Sequence, residues 1–270
     1  MNGTVRGRLR RFGRFLRSGW AGLLGLALFA ALWQAGSEAY GDFILPSPLT
    51  TLASCRVLLS DPENWRFMFQ TILRALEGYA LALAAGVCVG LAAGYFPTIL
   101  RALRPILTIL IGVPPIAWIV LTMIWFGSSD GTVIITVTIA TTPLILISTA
   151  EGVLTRDPRL DAMAQAFGAG PLFRLYTIGL RQVAAFLFPV LSVTLGSAVK
   201  IAVMAELLSN IGGIGGALAM ARSNLDVAGA LAWVLISVGC LIALEYLLLR
   251  PIQTEFDRWR GAARSSGATR

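Results

Sequence analysis

Long apolar runs separated by short polar segments occupy most of the chain. A helix needs roughly 20 residues to cross about 30 Å of hydrocarbon, and an uncharged run of that length is typical of a membrane span. Six such runs lie at about 20–36, 67–95, 106–127, 132–150, 183–208 and 228–249. The pattern predicts an all-α membrane protein with about six transmembrane helices. The predicted domains are a basic segment 1–19, a transmembrane domain 20–250 and a tail 251–270.

One polar segment, residues 151–182, lies between the fourth and fifth apolar runs. Asp157-Pro158 predicts a helix start, because Asp accepts hydrogen bonds from free backbone N–H groups and Pro fits the first helical position. A stripe at helical spacing follows and ends before Gly168: Leu160, Met163, Ala164 and Phe167. A second short helix is predicted from Pro171. Two short amphipathic helices between spans indicate a docking surface, and an ordinary solvated loop is the alternative.

Proline and glycine interrupt the pattern at two further places. Val113-Pro114-Pro115 falls inside the third run, where two missing amides and two ring clashes must bend or unwind a helix. Non-helical backbone at membrane depth is tolerated where protein or a water-filled path covers it, so this break predicts either a transport pathway or a packing kink. Four glycines after the fifth run predict a close backbone approach or a tight turn: Gly212, Gly213, Gly215 and Gly216.

The cations predict the orientation. Lys and Arg beside short loops stay in the cytoplasm. Six arginines precede the first run, two follow the second, four lie in 151–182 and five follow the last run, which makes 17 of the 22 cations on one side. Both termini and segment 151–182 are therefore predicted to be cytoplasmic, and an exterior interfacial helix is predicted at about 49–59. The net charge of +8 follows from this bias, so no nucleic-acid partner is predicted.

Common catalytic chemistry has no visible basis in this sequence. It contains no histidine, which excludes Ser-His and Cys-His nucleophile pairs and His-ligated metals. Cys55, Cys88 and Cys240 are scattered and read as small apolar residues. Since no P-loop or carboxylate cluster is present either, we expect no enzyme activity and no metal site in this chain.

Charged residues inside the apolar runs cost about 2.5–3.5 kcal/mol each on insertion scales, which makes each a candidate functional group. Lys200 lies near the middle of the fifth run, with Glu206 six residues later. Their side chains differ by about 120° in azimuth and are poorly placed to pair on one helix. Lys200 thus predicts either an anion in the pathway or a structural ion pair, for instance with Glu77. The spacing of Arg74 and Glu77 predicts a pair between those two residues.

Several motifs together resemble the permease subunits of binding-protein-dependent ABC importers, in the nitrate, sulfonate and taurine branch. In that family the cytoplasmic loop carries Glu-Ala-Ala, three residues, Gly, nine residues, Ile, one residue and Leu-Pro. The positions that fit are Met163-Ala164, Gly168, Ile178 and Leu180. Ala162 and Arg181 replace the Glu and the Pro, and Asp161 is adjacent. Further matches are Leu45-Pro46-Ser47-Pro48, residues 113–118, Trp125-Phe126-Gly127 and Met204-Ala205-Glu206-Leu207.

The resemblance implies a multi-pass subunit of the bacterial inner membrane that has no catalytic residue or cofactor of its own. It would form a pathway with a second copy and dock segment 151–182 on two cytoplasmic ATPase subunits, which hold ATP and Mg, while an exterior solute-binding protein delivers the solute. The implied ATPase-coupling residues are Asp161, Met163, Ala164, Phe167, Gly168, Ala169 and Ile178. The implied pathway residues are Pro114, Pro115, Trp118, Lys200, Met204 and Glu206.

Two departures from the family concern the cargo. Lys200 stands where the family usually has a small or apolar residue, and Ser192 where a basic residue is common. We therefore expect a small anion such as nitrate, a sulfonate or taurine. A neutral or cationic nutrient, such as a thiamine-precursor pyrimidine or a flavin, is the alternative within this branch. An ion-coupled secondary carrier is the alternative of another class, but it has no need of a docking segment and no inverted repeat is visible here.

Overall fold

A computed structural model describes residues 3–249, with the backbone alone at 3–19, 21, 172, 175, 248 and 249. This part of the chain forms helices joined by short turns, with no strand. The helices are α1 (Gly3–Tyr40), α2 (Pro48–Ser60), α3 (Pro62–Tyr95), α4 (Pro97–Gly112), α5 (Pro115–Phe126), α6 (Asp130–Leu154), α7 (Pro158–Ala166), α8 (Pro171–Arg174), α9 (Leu180–Ser209), α10 (Ile214–Ser223) and α11 (Val227–Leu244). The arginines counted before residue 20 and after residue 249 lie outside the described side chains.

Four helices of the described residues are long and apolar enough to cross a membrane: Pro62–Tyr95, Asp130–Leu154, Tyr176–Ser209 and Val227–Leu247. The number rises to five if α4 and α5 together form one broken span. The all-α membrane fold is thus confirmed. The first predicted span, 20–36, lies in α1, whose side chains are described only in part, so six spans and the orientation of the termini stay predictions.

The described chain divides into two compact units. The smaller contains α1, α2 and residues 221–232. Within it the Trp33 indole Nε1 donates to the Pro46 carbonyl at 2.9 Å, and the Cys55 thiol lies 3.6 Å from the Ala232 carbonyl. The helix predicted at 49–59 is present as α2. The larger unit contains α3 to α9 and holds the candidate functional residues.

Helices α3 and α6 meet along a stripe of small residues. Buried residues recur at every fourth position of α3: Gly78, Ala82, Gly86, Gly90 and Gly94. A β-carbon at Gly86 would lie 2.8 Å from Ile145, and one at Gly90 would lie 2.7 Å from the Leu146 carbonyl. Small residues permit this approach, which matters because helices in lipid associate through close packing rather than through the hydrophobic effect.

Hydroxyl groups add polar contacts between these helices. The Thr122 and Thr136 hydroxyls lie 2.7 Å apart and join α5 to α6. The Ser148 hydroxyl donates to the Phe186 carbonyl at 2.9 Å, which joins α6 to α9. The Tyr79 hydroxyl donates to the Leu191 carbonyl at 3.0 Å and joins α3 to α9. Each bond satisfies a polar group that would be costly to leave unpaired inside a membrane.

The predicted break in the third apolar run is confirmed. Helix α4 ends at Gly112, α5 begins at Pro115, and the two axes differ by 95°. Pro114 and Pro115 both lack an amide hydrogen, so the α-helical ladder cannot continue through them. The backbone of Pro115 already fits the first turn of a helix, which is why a new helix starts there.

Segment 151–182 differs from the prediction in its second half. Helix α7 begins and ends where the sequence indicated, but the helix that begins at Pro171 does not end before the next span. A π-helical turn, Leu175–Gly179, connects α8 directly to α9. A start signal such as Pro171 predicts where a helix begins and carries no information about where it ends. The second half of the segment is therefore continuous with a membrane span.

Candidate functional site

Local signals position helix α7 at the end of the α6 span. The Asp157 side chain accepts a hydrogen bond from the Arg159 backbone N–H at 2.9 Å, which caps the helix at its first turn. Gly168 follows the helix with φ of +77°, a left-handed conformation that favours glycine. These two residues define a helix of nine residues, as the sequence predicted.

Polar contacts hold α7 against its neighbours. An Arg174 Nη1 atom lies 3.2 Å from the Asp161 carboxylate, which joins α8 to α7. The Asp157 backbone N–H donates to the Gln182 side-chain oxygen at 2.9 Å, which joins the start of α7 to α9. Arg156 donates to the Tyr95 hydroxyl at 2.8 Å at the end of α3. Segment 151–182 is therefore held together internally and fixed to α3 and α9 of the same unit, rather than free as a solvated loop.

The large side chains of the apolar stripe of this segment are exposed in the described part of the chain. Phe167 has 84% of its surface exposed and Met163 has 55%. Phe173 and Tyr176 of the continuing helix are also exposed. Asp161, Ala164, Ala169 and Ile178 are half-buried, and Gly168 is exposed. A patch of large apolar side chains held on capped helices is typical of a surface that binds another protein.

The predicted pathway residues fall into two groups. Lys200 and Met204 lie one helical turn apart on an exposed face of α9 that also carries Val193. Glu206 lies on a different face of the same helix and is completely buried, with 0% exposure. Lys200, the only lysine of the sequence, forms no ion pair with any of the described residues. The predicted pairing of Lys200 with Glu77 is therefore not formed within this chain.

The broken helix contributes the remaining pathway candidates. Pro114 and Pro115 are exposed at the 95° bend, and Trp118 is half-buried one turn later. The indole Nε1 of Trp118 is itself buried and has no hydrogen-bond partner among the described residues. An N–H group in that position can donate to a group supplied from outside the chain.

Arg74 forms the centre of a buried polar network that the sequence analysis missed. Its Nη1 atom lies 2.7 Å from the Glu206 carboxylate, and its Nη2 atom lies 2.7 Å from Asp130 at the start of α6. Nη1 also donates to the Gly212 carbonyl. The predicted pair between Arg74 and Glu77 is wrong, because Arg74 lies on the buried face of α3 whereas Glu77 is exposed.

The glycine-rich turn completes this network. The Thr71 hydroxyl donates to Glu206 Oε2 at 2.7 Å, and the Gly215 backbone N–H donates to the same oxygen at 3.1 Å. A β-carbon at Gly215 would contact the Val203 carbonyl and lie 2.6 Å from Glu206 Cβ. The close approach predicted for this turn is confirmed, and its physical reason is the buried carboxylate beneath it.

A signal for this network was present in the sequence. Arg74 is four residues before Gly78, so it extends the small-residue stripe of α3 toward the start of the helix, and Thr71 lies one turn earlier. Glu77 falls outside that stripe. The predicted pair of Arg74 and Glu77 is based on i, i+3 spacing within one helix. Because Arg74 shares a face of α3 with the glycines, its partner is expected on another helix.

Metal-binding groups are not gathered in this part of the chain. Among residues 3–249, no group of three or more Cys, Asp or Glu side chains could hold a metal ion.

Comparisons with known proteins agree with the helical architecture. The taurine transport system permease protein TauC of Escherichia coli (strain K12) is 27% identical over 244 residues, 87% of this chain and 88% of that protein. The riboflavin transport system permease protein RibX of Chloroflexus aurantiacus is 28% identical over 240 residues, 88% of this chain and 89% of that protein. A solved structure of the MetNI methionine ABC transporter in an inward-facing conformation is similar in fold, with a TM-score of 0.56 at 19% identity, and covers 75% of this chain and 98% of that one.

The model of one protein family matches residues 86–260, well over half of the chain. That stretch contains the broken third run, segment 151–182, the Lys200 face of α9 and the glycine-rich turn. The expected resemblance is thereby confirmed, including the inner-membrane location. The chain belongs to the family of inner membrane components of binding-protein-dependent transport systems, and it is the permease subunit of an ABC importer.

Proposed function

We propose that this permease works as a homodimer with two cytoplasmic ATPase subunits and an exterior solute-binding protein, and that it imports a small anion such as nitrate, a sulfonate or taurine. ATP and Mg belong to the ATPase subunits, so this chain has no cofactor and catalyses no reaction. Its own residues transmit motion and line the pathway.

Segment 151–182 supports the coupling part of this proposal. Phe167, Met163 and Phe173 present an apolar patch outward, while Asp161 and Arg174 hold the patch rigid. The helix that begins at Pro171 continues into α9 and reaches Lys200 about 20 residues beyond Leu180, a rise of roughly 30 Å. A displacement of the patch by an ATPase subunit would therefore move the span that carries the exposed lysine.

Phe167→Ala tests the coupling role. An exposed aromatic anchor at the centre of an interface typically contributes about 2 kcal/mol or more, so affinity for the ATPase subunit should fall roughly 30-fold. The measurement is binding of the purified full-length permease to its ATPase subunit, together with ATP-dependent uptake. The matched control is Phe69→Ala, which removes another exposed ring near the start of α3, far along the chain from segment 151–182. Equal affinity of both variants would contradict the coupling role.

The environment of Lys200 is the single observation that supports the anion assignment. It is exposed within an apolar span and forms no ion pair with any described residue. Keeping an ammonium group in such a position costs free energy unless it interacts with something. An anionic solute passing between two copies of α9 would compensate that cost. The similarity to a taurine permease is consistent with this cargo, because taurine carries a sulfonate.

Lys200→Ala tests the anion assignment. A hydrogen bond to a charged group contributes about 1.5–3 kcal/mol, so the apparent affinity for uptake should fall about tenfold or more. Lys200→Arg should retain most of it. Because Lys200 is the only lysine, acylation of lysine amines reports on this residue alone, and the transported anion should slow it. If Lys200→Ala assembles and transports its solute normally, the assignment is wrong.

A flavin-like cargo is the second candidate, since the riboflavin permease is as similar to this chain as the taurine permease is. Selectivity in binding-protein-dependent systems begins at the solute-binding protein. Thermal unfolding of that partner with nitrate, taurine, alkylsulfonates, riboflavin and a pyrimidine separates the two candidates, because only the true ligand raises its melting temperature.

A further inference from the structure

A cavity of about 160 Å³ lies between α4 and the last turns of α6. Its wall is apolar, with Leu107, Ile111 and Ile147 among the lining residues. Arg104 and Glu151, which carry opposite charges, lie on the same cavity. Neither Arg104 nor Glu151 forms an ion pair with any residue of the described chain. The cavity is thus lined by one cationic and one anionic side chain that are not paired with each other, together with apolar side chains.

The cavity lies near the end of a candidate membrane span, and lipid headgroups lie at the ends of spans. Glu151 is three residues before the end of α6 at Leu154, so it lies about 5 Å from the end of that helix. The ends of α3 and α6 are at the same level, because Arg156 after α6 donates to Tyr95, the last residue of α3. Side chains at the end of a span meet lipid headgroups, whereas Ile111 and Ile147 lie deeper along their helices.

We propose that this cavity binds the headgroup of phosphatidylethanolamine, with Arg104 on the phosphate and Glu151 on the ammonium. The ammonium donates up to three hydrogen bonds to carboxylate oxygens, and the guanidinium of Arg104 fits phosphate geometry. Glu151 repels a purely anionic headgroup, so the pair of charges favours a lipid that carries both signs. The acyl chains lie along exposed apolar side chains that are deeper in the span, such as Ile111.

The size of the cavity agrees with a headgroup rather than with a whole solute. A single water needs about 10–15 Å³ of such space, so 160 Å³ holds on the order of ten water-sized groups. That suits a phosphoethanolamine group, whereas sites that enclose a drug-sized molecule typically measure about 300–1,000 Å³. The Thr108 hydroxyl lines the same cavity, donates to the Arg104 carbonyl at 2.9 Å and keeps acceptor capacity.

The site is separate from the Lys200 face proposed above, because it lies between α4 and α6 whereas Lys200 lies on α9. Its occupancy would hold α4 against α6 at the end of α6 that leads into segment 151–182. The proposal can therefore fail while the permease function stands, and the reverse also holds.

Native mass spectrometry of the full-length permease tests this site. The protein is titrated separately with phosphatidylethanolamine, phosphatidylglycerol and phosphatidylcholine of the same acyl composition. Wild type should bind phosphatidylethanolamine about tenfold more tightly than phosphatidylglycerol, the factor expected for one charge-assisted hydrogen bond. Glu151→Gln should abolish that preference, and Arg104→Gln should weaken binding of all three lipids.

Matched controls keep this test specific. Arg101→Gln and Glu77→Gln remove exposed charges that do not line the cavity, and both should bind lipid as wild type does. Ile147→Trp fills the cavity without changing charge and should reduce binding of phosphatidylethanolamine. The proposal is overturned if wild type binds phosphatidylglycerol as tightly as phosphatidylethanolamine, or if Glu151→Gln leaves their ratio unchanged.

Discussion

At the scale of single residues, the buried ion pair of Arg74 and Glu206 stabilises one end of the core that α3, α6 and α9 form. Glu206 has no exposed surface and receives hydrogen bonds from Thr71 and Gly215 as well as from Arg74. Asp130, the second carboxylate that pairs with Arg74, keeps 68% of its side chain exposed. A buried charge of this kind is stable only while its ion-pair and hydrogen-bond partners are present.

Glu206→Ala should therefore destabilise the protein strongly. Without Glu206, the buried Arg74 keeps only the largely exposed Asp130 as an ion-pair partner, and the Thr71 and Gly215 donors lose their acceptor. Removing one partner of a buried pair typically costs about 3–5 kcal/mol. The measurement is the free energy of unfolding of the full-length permease in detergent. Glu77→Gln, which changes an exposed carboxylate on α3, is the matched control and should unfold as wild type does. An unfolding free energy of Glu206→Ala equal to that of wild type would contradict the role given to the network.

Residue roles could be predicted from the sequence only where one helix decides them. The cap at Asp157, the stop at Gly168 and the separation of Lys200 from Glu206 each depend on local spacing, and all three agree with the structure. The partners of Arg74 could not be found that way, because Asp130 and Glu206 belong to other helices. The contacts of Arg74 with these two residues depend on tertiary packing, which the spacing of residues along one helix does not show.

At the scale of elements, the packing of α3 on α6 depends on the absence of side chains. Gly90 faces the Leu146 carbonyl and Thr149, and a β-carbon there would lie 2.7 Å from each of them. Backbone atoms cannot move aside as the end of a flexible side chain can. The stripe therefore sets the distance between the two helices and, with it, the position of the hydroxyl contacts to α9.

Gly90→Leu should weaken this packing. Overpacking of a close contact typically costs about 1–3 kcal/mol, which should appear as a lower unfolding free energy of the full-length protein in detergent. Gly239→Leu on α11 is the matched control, since nothing lies within 4 Å of a β-carbon there. Comparable stability of the two variants would show that the stripe does not set the distance between the helices.

Most elements could be predicted from apolar runs and from proline and glycine signals, including the break at Pro114-Pro115. The continuity of α8 with α9 could not, because the π-helical turn Leu175–Gly179 shifts the helical register and hides the period across it. This continuity changes the structure expected of segment 151–182. The second half of the segment is a direct extension of α9 and not a loop attached to it.

At the scale of the whole molecule, the family and the structure agree on a helical permease subunit of an ABC importer. Within the larger unit, the buried network lies in the first half of α3 and at the start of α6. Segment 151–182 begins at the other end of α6. The close packing of α3 on α6 connects the two regions. Such an arrangement suits a subunit that transmits motion from one membrane surface to the other.

ATP-dependent uptake in proteoliposomes tests this account most directly. The full-length permease is reconstituted with its ATPase subunit and solute-binding protein, and uptake of the cognate solute is followed with ATP, without ATP, and with ionophores that abolish ion gradients. We predict uptake that requires ATP hydrolysis, persists with ionophores and is lost in Phe167→Ala. Uptake by the permease alone, driven by an ion gradient and unaffected by Phe167→Ala, would contradict the account and identify a secondary carrier.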